Sequence, residues 1–236
     1  MVADALIYHP SVAHYLRFVA TTIGREKVLR TLQYFARFYA WYLYRTNGSP
    51  KEIAPWEAVK KQFGLIRKVL RVGKNVEHLK AAAVAADAKA GTVDPFLKYT
   101  AVGRQLGYAG YLTLDTATVL DALGIRKSES AKKYQKEAFR FWAVGLVCSV
   151  LAQVYTLYQL KQREARVDKK EGEGVVESKR IAIERSASQL QLISDLCDLT
   201  VPYSALGWGT LDDGIVGLAG TVSSLIGLAS QWKKTA

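Results

Sequence analysis

Apolar residues recur along this chain at intervals of three and four, the period of an amphipathic α-helix, with little of the alternation that marks a strand. Ser11 to Arg45 carries that period as one or two helices, bent at Gly24, and stops at the breaker cluster Thr46-Asn47-Gly48-Ser49-Pro50. From Trp56 to Lys80 the period continues as a single helix. On a wheel, Val59, Phe63, Leu65, Ile66, Val69, Leu70, Val72 and Val76 fill one broad half. The opposite arc gathers Lys60, Lys61, Arg67, Lys68, Arg71, Lys74 and His78, with Glu57 its only acid. A solvated surface helix mixes its signs, whereas this arc repels itself until an anionic partner neutralises it. Such a helix suits the headgroup plane of a membrane, with Phe63, Ile66, Val69, Leu70 and Val76 inserting and Lys60, Lys61, Arg67, Lys68, Arg71 and Lys74 meeting anionic lipid. The competing reading is a core helix with a solvated basic face.

Two stretches lack charge altogether. Phe141 to Leu160 offers 20 such residues, enough at about 1.5 Å per residue to cross a bilayer core of about 30 Å. Trp142, Tyr155 and Tyr158 stand near its ends, where interfacial aromatics belong. Gly214 to Trp232 is the second, 19 residues closed by Lys233 and Lys234. Its small residues Gly217, Gly220, Ser224 and Gly227 predict close packing against another helix, within one chain or between copies. A third stretch, Lys98 to Asp121, carries Gly103, Gly107 and Gly110 but is interrupted by Arg104 and Asp115, which favours a packed or interfacial helix over a clean span. A polar loop from Asp168 to Ser178 is expected before a helix from Lys179 to Thr200. The expectation is an all-α membrane protein with amphipathic N-terminal helices and about two transmembrane helices, one glycine-rich. Residues 1–92 form the amphipathic region and 93–236 the membrane-embedded one, with its polar loop near 161–180.

Composition narrows the function. Among 236 residues, 33 Lys and Arg face 21 Asp and Glu, a net charge of +12 that points to nucleic acid or an anionic membrane. Aromatics from Tyr34 to Tyr44 interleave with Arg30, Arg37 and Arg45, but no RNA-binding strand motif accompanies them, so nucleic acid is set aside. Cys148 and Cys197 exclude a disulfide framework and a four-cysteine zinc site, and three histidines leave little for metal chemistry. No nucleophile elbow, phosphate-binding loop or zinc-protease motif occurs. The expectation is therefore no catalytic residue, no metal and no cofactor. Asp212-Asp213 reads as a helix cap before Gly214.

The segment Gly24-Arg-Glu-Lys-Val-Leu-Arg-Thr-Leu-Gln-Tyr34-Phe-Ala-Arg-Phe38, followed by Phe63-Gly-Leu-Ile-Arg-Lys-Val-Leu-Arg71-Val-Gly-Lys74-Asn-Val-Glu-His78-Leu-Lys80, resembles the peroxin-eleven family of peroxisomal membrane proteins. The likeness extends over nearly the whole chain. It implies a protein that elongates the peroxisomal membrane before division, associates with itself, and helps a dynamin-related GTPase at constriction sites. Metabolite pores are the alternative function the family suggests. The family's membrane-inserting helix maps onto Phe63 to Lys80.

Charge near the spans bears on sidedness. Residues 194–213 hold no Lys or Arg whereas the tail holds two, which puts the C-terminus in the cytosol. With two spans, the N-terminal region joins it there and the loop from Asp168 to Ser178 lies on the far side. Lys233 and Lys234 also resemble the dilysine signal read by coatomer, with headgroup anchoring as the plainer alternative.

Overall fold

The computed structural model describes residues 7–89, 91, 93–167 and 172–236. Among them are nine helices and no strand: α1 (Pro10–Ala20), α2 (Thr22–Arg45), α3 (Pro50–Leu70), α4 (Asn75–Ala86), α5 (Pro95–Ala117), α6 (Val119–Ala122), α7 (Ala131–Ala165), α8 (Gly172–Ala205) and α9 (Asp213–Lys234).

Local chemistry sets the breaks. The bend expected at Gly24 sits at Thr21, which leaves helical backbone and accepts the Gly24 N–H at 2.9 Å, capping α2. Gly24 is needed one turn on, because a side chain there would collide with the Phe18 carbonyl. Asn47 turns with a positive φ of 59°, and α3 starts at a capping box in which Ser49 N–H donates to Glu52 Oε2 at 2.7 Å. Hydrogen bonds from Ser49 hold the Glu52 carboxyl below its usual range.

Three sequence expectations need correcting. Trp56 to Lys80 is two helices, not one, since the chain turns through residues 71–74 with Gly73 at φ +82°. Apolar spacing survives the turn, so periodicity alone does not reveal it. The polar loop is also shorter than expected: α7 continues to Ala165 and α8 begins at Gly172, so residues 172–178 are helical, and 168–171 lie outside the described residues. The helix expected over Lys179 to Thr200 accordingly runs Gly172–Ala205.

Each helix lies on the next in the order α3, α2, α9, α8, α7, α5, α4. The row curls closed where Lys68 and Arg71, at the end of α3, reach Asp115 of α5. Because α9 rests on α2, the regions before and after residue 92 share one bundle. Its centre is Tyr34, Tyr111, Leu112, Ala138, Trp142, Leu146, Val201 and Val216. The α7–α8 pair is antiparallel, as Ser149 donates to Asp195, Ser188 to Gln153, and Arg185 pairs with Glu164. α9 then returns along α8, bringing Lys233 beside Ala182, Ile183 and Ser186.

Several charged and polar groups lie inside beside the apolar centre, and apolar rows lie outside. Arg67, Asp115, Ser149, Asp195 and Asp198 are buried, while Phe141, Val144, Val147, Leu151, Val154 and Tyr158 form an exposed row on α7. Ile215, Leu218, Val222 and Leu225 make a similar row on α9. Both helices are long and apolar enough to cross a membrane, and only 28% and 33% of their most apolar windows are buried. The core helix of a soluble protein is mostly buried, so these faces need another apolar phase.

Candidate membrane-binding surface

The apolar and basic arcs of α3 face opposite ways in the bundle. Ile66, Val69 and Val76 are 43%, 42% and 63% exposed, and Phe63 and Leu70 are half-buried. Val76 belongs to α4, beyond the turn, so the row bends between Leu70 and Val76. Arg67, by contrast, is 6% exposed.

Four of the six lysines and arginines of the basic arc are engaged internally. Arg67 Nε and Nη2 lie 2.8 and 2.7 Å from Glu26 Oε1 on α2, Nη1 donates to Gln33, and the guanidinium stands over the Tyr34 ring. Lys68 Nζ is 3.1 Å from Asp115 Oδ1 and donates to Thr118 and Gln135. Arg71 Nη2 is 2.8 Å from Asp115 Oδ2, above the Tyr111 ring. Lys60 pairs with Glu57 and with Asp213 of α9, Lys61 is exposed, and Lys74 is half-buried in the turn. In this arrangement Arg67, Lys68 and Arg71 meet carboxylates rather than solvent.

The small residues of α9 face α2. Side chains at Gly217 and Gly220 would strike Phe38 and Tyr34, Gly227 lies against the Lys27 stem, and Ser224 is buried with its hydroxyl donating to the Gly220 carbonyl. Gly214 gives way to Trp41 in the same fashion. The seam between α5 and α7 repeats the device: a Cβ on Gly107 would fall 2.6 Å from the Gly145 Cα. Close approach of this kind supplies dispersion contact where lipid offers no hydrophobic drive. Asp212 caps α9 by accepting the Ile215 N–H at 2.9 Å, and Asp213 accepts from Arg37 and Lys60.

Sequence reading missed the carboxylates that complete the site. Glu26, Asp115 and Asp198 each bind an arginine, Asp198 taking Arg30, which also donates to Ser223 at 3.0 Å. Their signal was available as isolated acids within basic or apolar helices; Asp115 registers in the sequence only as an interruption. Helix α1 also meets the end of α9. The His14 ring lies tilted against Trp232, 3.8 Å between ring centroids, and Arg17 Nε donates to the Thr235 carbonyl at 2.9 Å.

Apolar exterior rows, glycine seams and paired interior charges are those of an all-α membrane protein with two candidate membrane-spanning helices. Residues 12–232 match the family model described as Peroxisomal biogenesis factor 11 (PEX11), and the chain belongs to that family, as the paired segments at 24–38 and 63–80 led one to expect. It is 30% identical over 247 residues to Peroxisomal membrane protein PMP27 of Saccharomyces cerevisiae, covering all of both chains. Peroxisomal membrane protein PMP30A of Candida boidinii is 27% identical over 256 residues, covering 100% of this chain and 99% of its own. Human Peroxisomal membrane protein 11B is 23% identical over 248 residues, covering 91% of this chain and 94% of its own. No solved structure matches.

Proposed function

We propose that this protein resides in the peroxisomal membrane and elongates it ahead of division, driving proliferation of the organelle. The observation that carries the reading is the outward apolar row of α3, in a bundle whose α7 and α9 also expose apolar rows. Burying such a row about 5 to 10 Å deep in one leaflet expands that leaflet against the other. Self-association concentrates the asymmetry, Lys61 and Lys74 meet anionic headgroups, and a dynamin-related GTPase with its adaptors completes scission. Both chain ends face the cytosol in this reading, supported by the contact of His14 and Arg17 with residues 232–235. The lysine pair there anchors α9 in headgroups or engages coatomer.

A metabolite pore is the second reading, favoured by the ionisable groups inside the bundle. Arg30, Arg67 and Arg71 are each matched by a carboxylate, which suits a structural core more than a conducting lumen. Reconstitution into anionic vesicles separates the readings. Tubulation without leakage of an enclosed dye is expected; leakage from round vesicles would favour the pore instead.

A further inference from the structure

The docked state of α3 leaves its strongest cations unavailable. Two carboxylates, Glu26 on α2 and Asp115 on α5, hold three cations, Arg67, Lys68 and Arg71, so the cluster keeps a net positive charge. Asp115 is nearly buried and serves Lys68 and Arg71 together. Arg71 Nε is buried without a hydrogen-bond partner, so Asp115 does not satisfy that guanidinium fully. The helix is also bounded by two turns with positive φ, at Asn47 and Gly73, and nothing lies within 4 Å of where a Gly73 side chain would stand. A rigid 21-residue helix between two such turns can move as a unit.

We propose that Glu26 and Asp115 latch α3 in its docked position, and that anionic phospholipid headgroups compete for Arg67, Lys68 and Arg71 and swing the helix out to the membrane surface. Headgroups present many negative charges in one plane and so match a row of cations, whereas the bundle offers two carboxylates. A released helix lays its apolar row in the leaflet and its basic arc among the headgroups, which makes insertion dependent on lipid charge. The proposal rests on the membrane-elongating reading and specifies what triggers it.

Pulsed electron spin resonance on the full chain tests the latch. Labels at Lys61→Cys and Ala117→Cys, both exposed positions, report the separation of α3 from α5 once Cys148 and Cys197 are replaced by Ser. In neutral phosphatidylcholine vesicles one short separation is expected, and added phosphatidylserine should populate a longer one. Glu26→Gln with Asp115→Asn should lower the phosphatidylserine fraction at half-release about twofold or more. The reversed pair Glu26→Arg with Arg67→Glu should keep the short separation in neutral vesicles, which a merely unfolded variant would not. A separation unchanged at every phosphatidylserine fraction overturns the latch. So does an equal change produced by inorganic phosphate beside neutral vesicles, since headgroups would then be unnecessary. Elongation imaged in the same samples keeps the two ideas apart: tubules with a fixed separation sink only the latch, and a moving helix without tubules sinks only the elongation.

Discussion

Arg67 and Glu26, separated by 41 residues in sequence, form a two-toothed contact on one carboxylate oxygen, with Nε at 2.8 Å and Nη2 at 2.7 Å. Their side chains are 8% and 12% exposed, so each is the other's principal counter-charge. Removing one partner strands the other. Arg67→Ala should therefore cost about 3 to 5 kcal/mol in denaturant titrations in mixed micelles. The double change Arg67→Met with Glu26→Leu should recover much of that loss. A double variant as unstable as the single one would mean that packing of the arginine stem, not its charge, dominates.

The α2–α9 seam makes a contrasting prediction. Gly220→Leu must displace the Tyr34 ring, a member of the central cluster, and should destabilise the bundle by about 1 to 3 kcal/mol. Leu218→Ala, two residues away on the outward row, should change stability in detergent by less than about 0.5 kcal/mol. Equal effects at the two positions would deny the seam its special role.

These two cases mark how far the sequence could be read. The apolar rows, the glycine spacing of α9 and the breaker cluster before Pro50 all follow from local period and backbone chemistry, and so does the all-helical class. Periodicity reports which residues share a face, but not what covers that face. The partners of the basic arc lie 41 and 44 residues away, and Arg30 meets Asp198 across 168, so no local pattern could join them. The setting compounds the difficulty: in a bundle whose exterior is lipid, some charge turns inward, whereas a wheel read for an isolated interfacial helix turns it outward. The turn at residues 71–74 was hidden because Val72 and Val76 keep the apolar spacing on either side of Gly73.

Freed from the bundle, the segment from Trp56 to Lys80 should behave differently from its docked form. As a peptide it repels itself along its basic arc and has no bundle to pack against, so circular dichroism should report mostly coil in water and helix on anionic vesicles. Changing Lys60, Arg67, Arg71 and Lys74 to Glu should abolish binding, since each cation contributes about 1 kcal/mol near an anionic surface. Undiminished binding of the reversed peptide would remove the electrostatic part of the proposal.

The last prediction concerns sidedness, where the fold departs from a simple pair of spans. α8 runs antiparallel to α7 from the contact of Ser149 with Asp195 to that of Glu164 with Arg185, which spans the second half of the uncharged stretch 141–160. If α7 crosses the membrane, α8 accompanies it through the same layer, with Asp195 satisfied by Ser149 and Gln191 and Asp198 by Arg30. α9 then returns along α8 and ends with Lys233 beside Ser186, toward the α7–α8 connection. The C-terminus and that connection therefore lie at one end of the bundle, joined there by His14 and Arg17 of α1. In intact organelles, a protease added from the cytosol should treat a C-terminal tag and a cleavage site inserted between Val167 and Gly172 alike, and both should be cut if the tail is cytosolic. Two spans with α8 lying outside the membrane demand the opposite, a digestible tag with a protected connection. That outcome would mean α8 leaves α7 in the bilayer, and the contacts of Asp195 with Ser149 and Gln191 would have to be remade elsewhere.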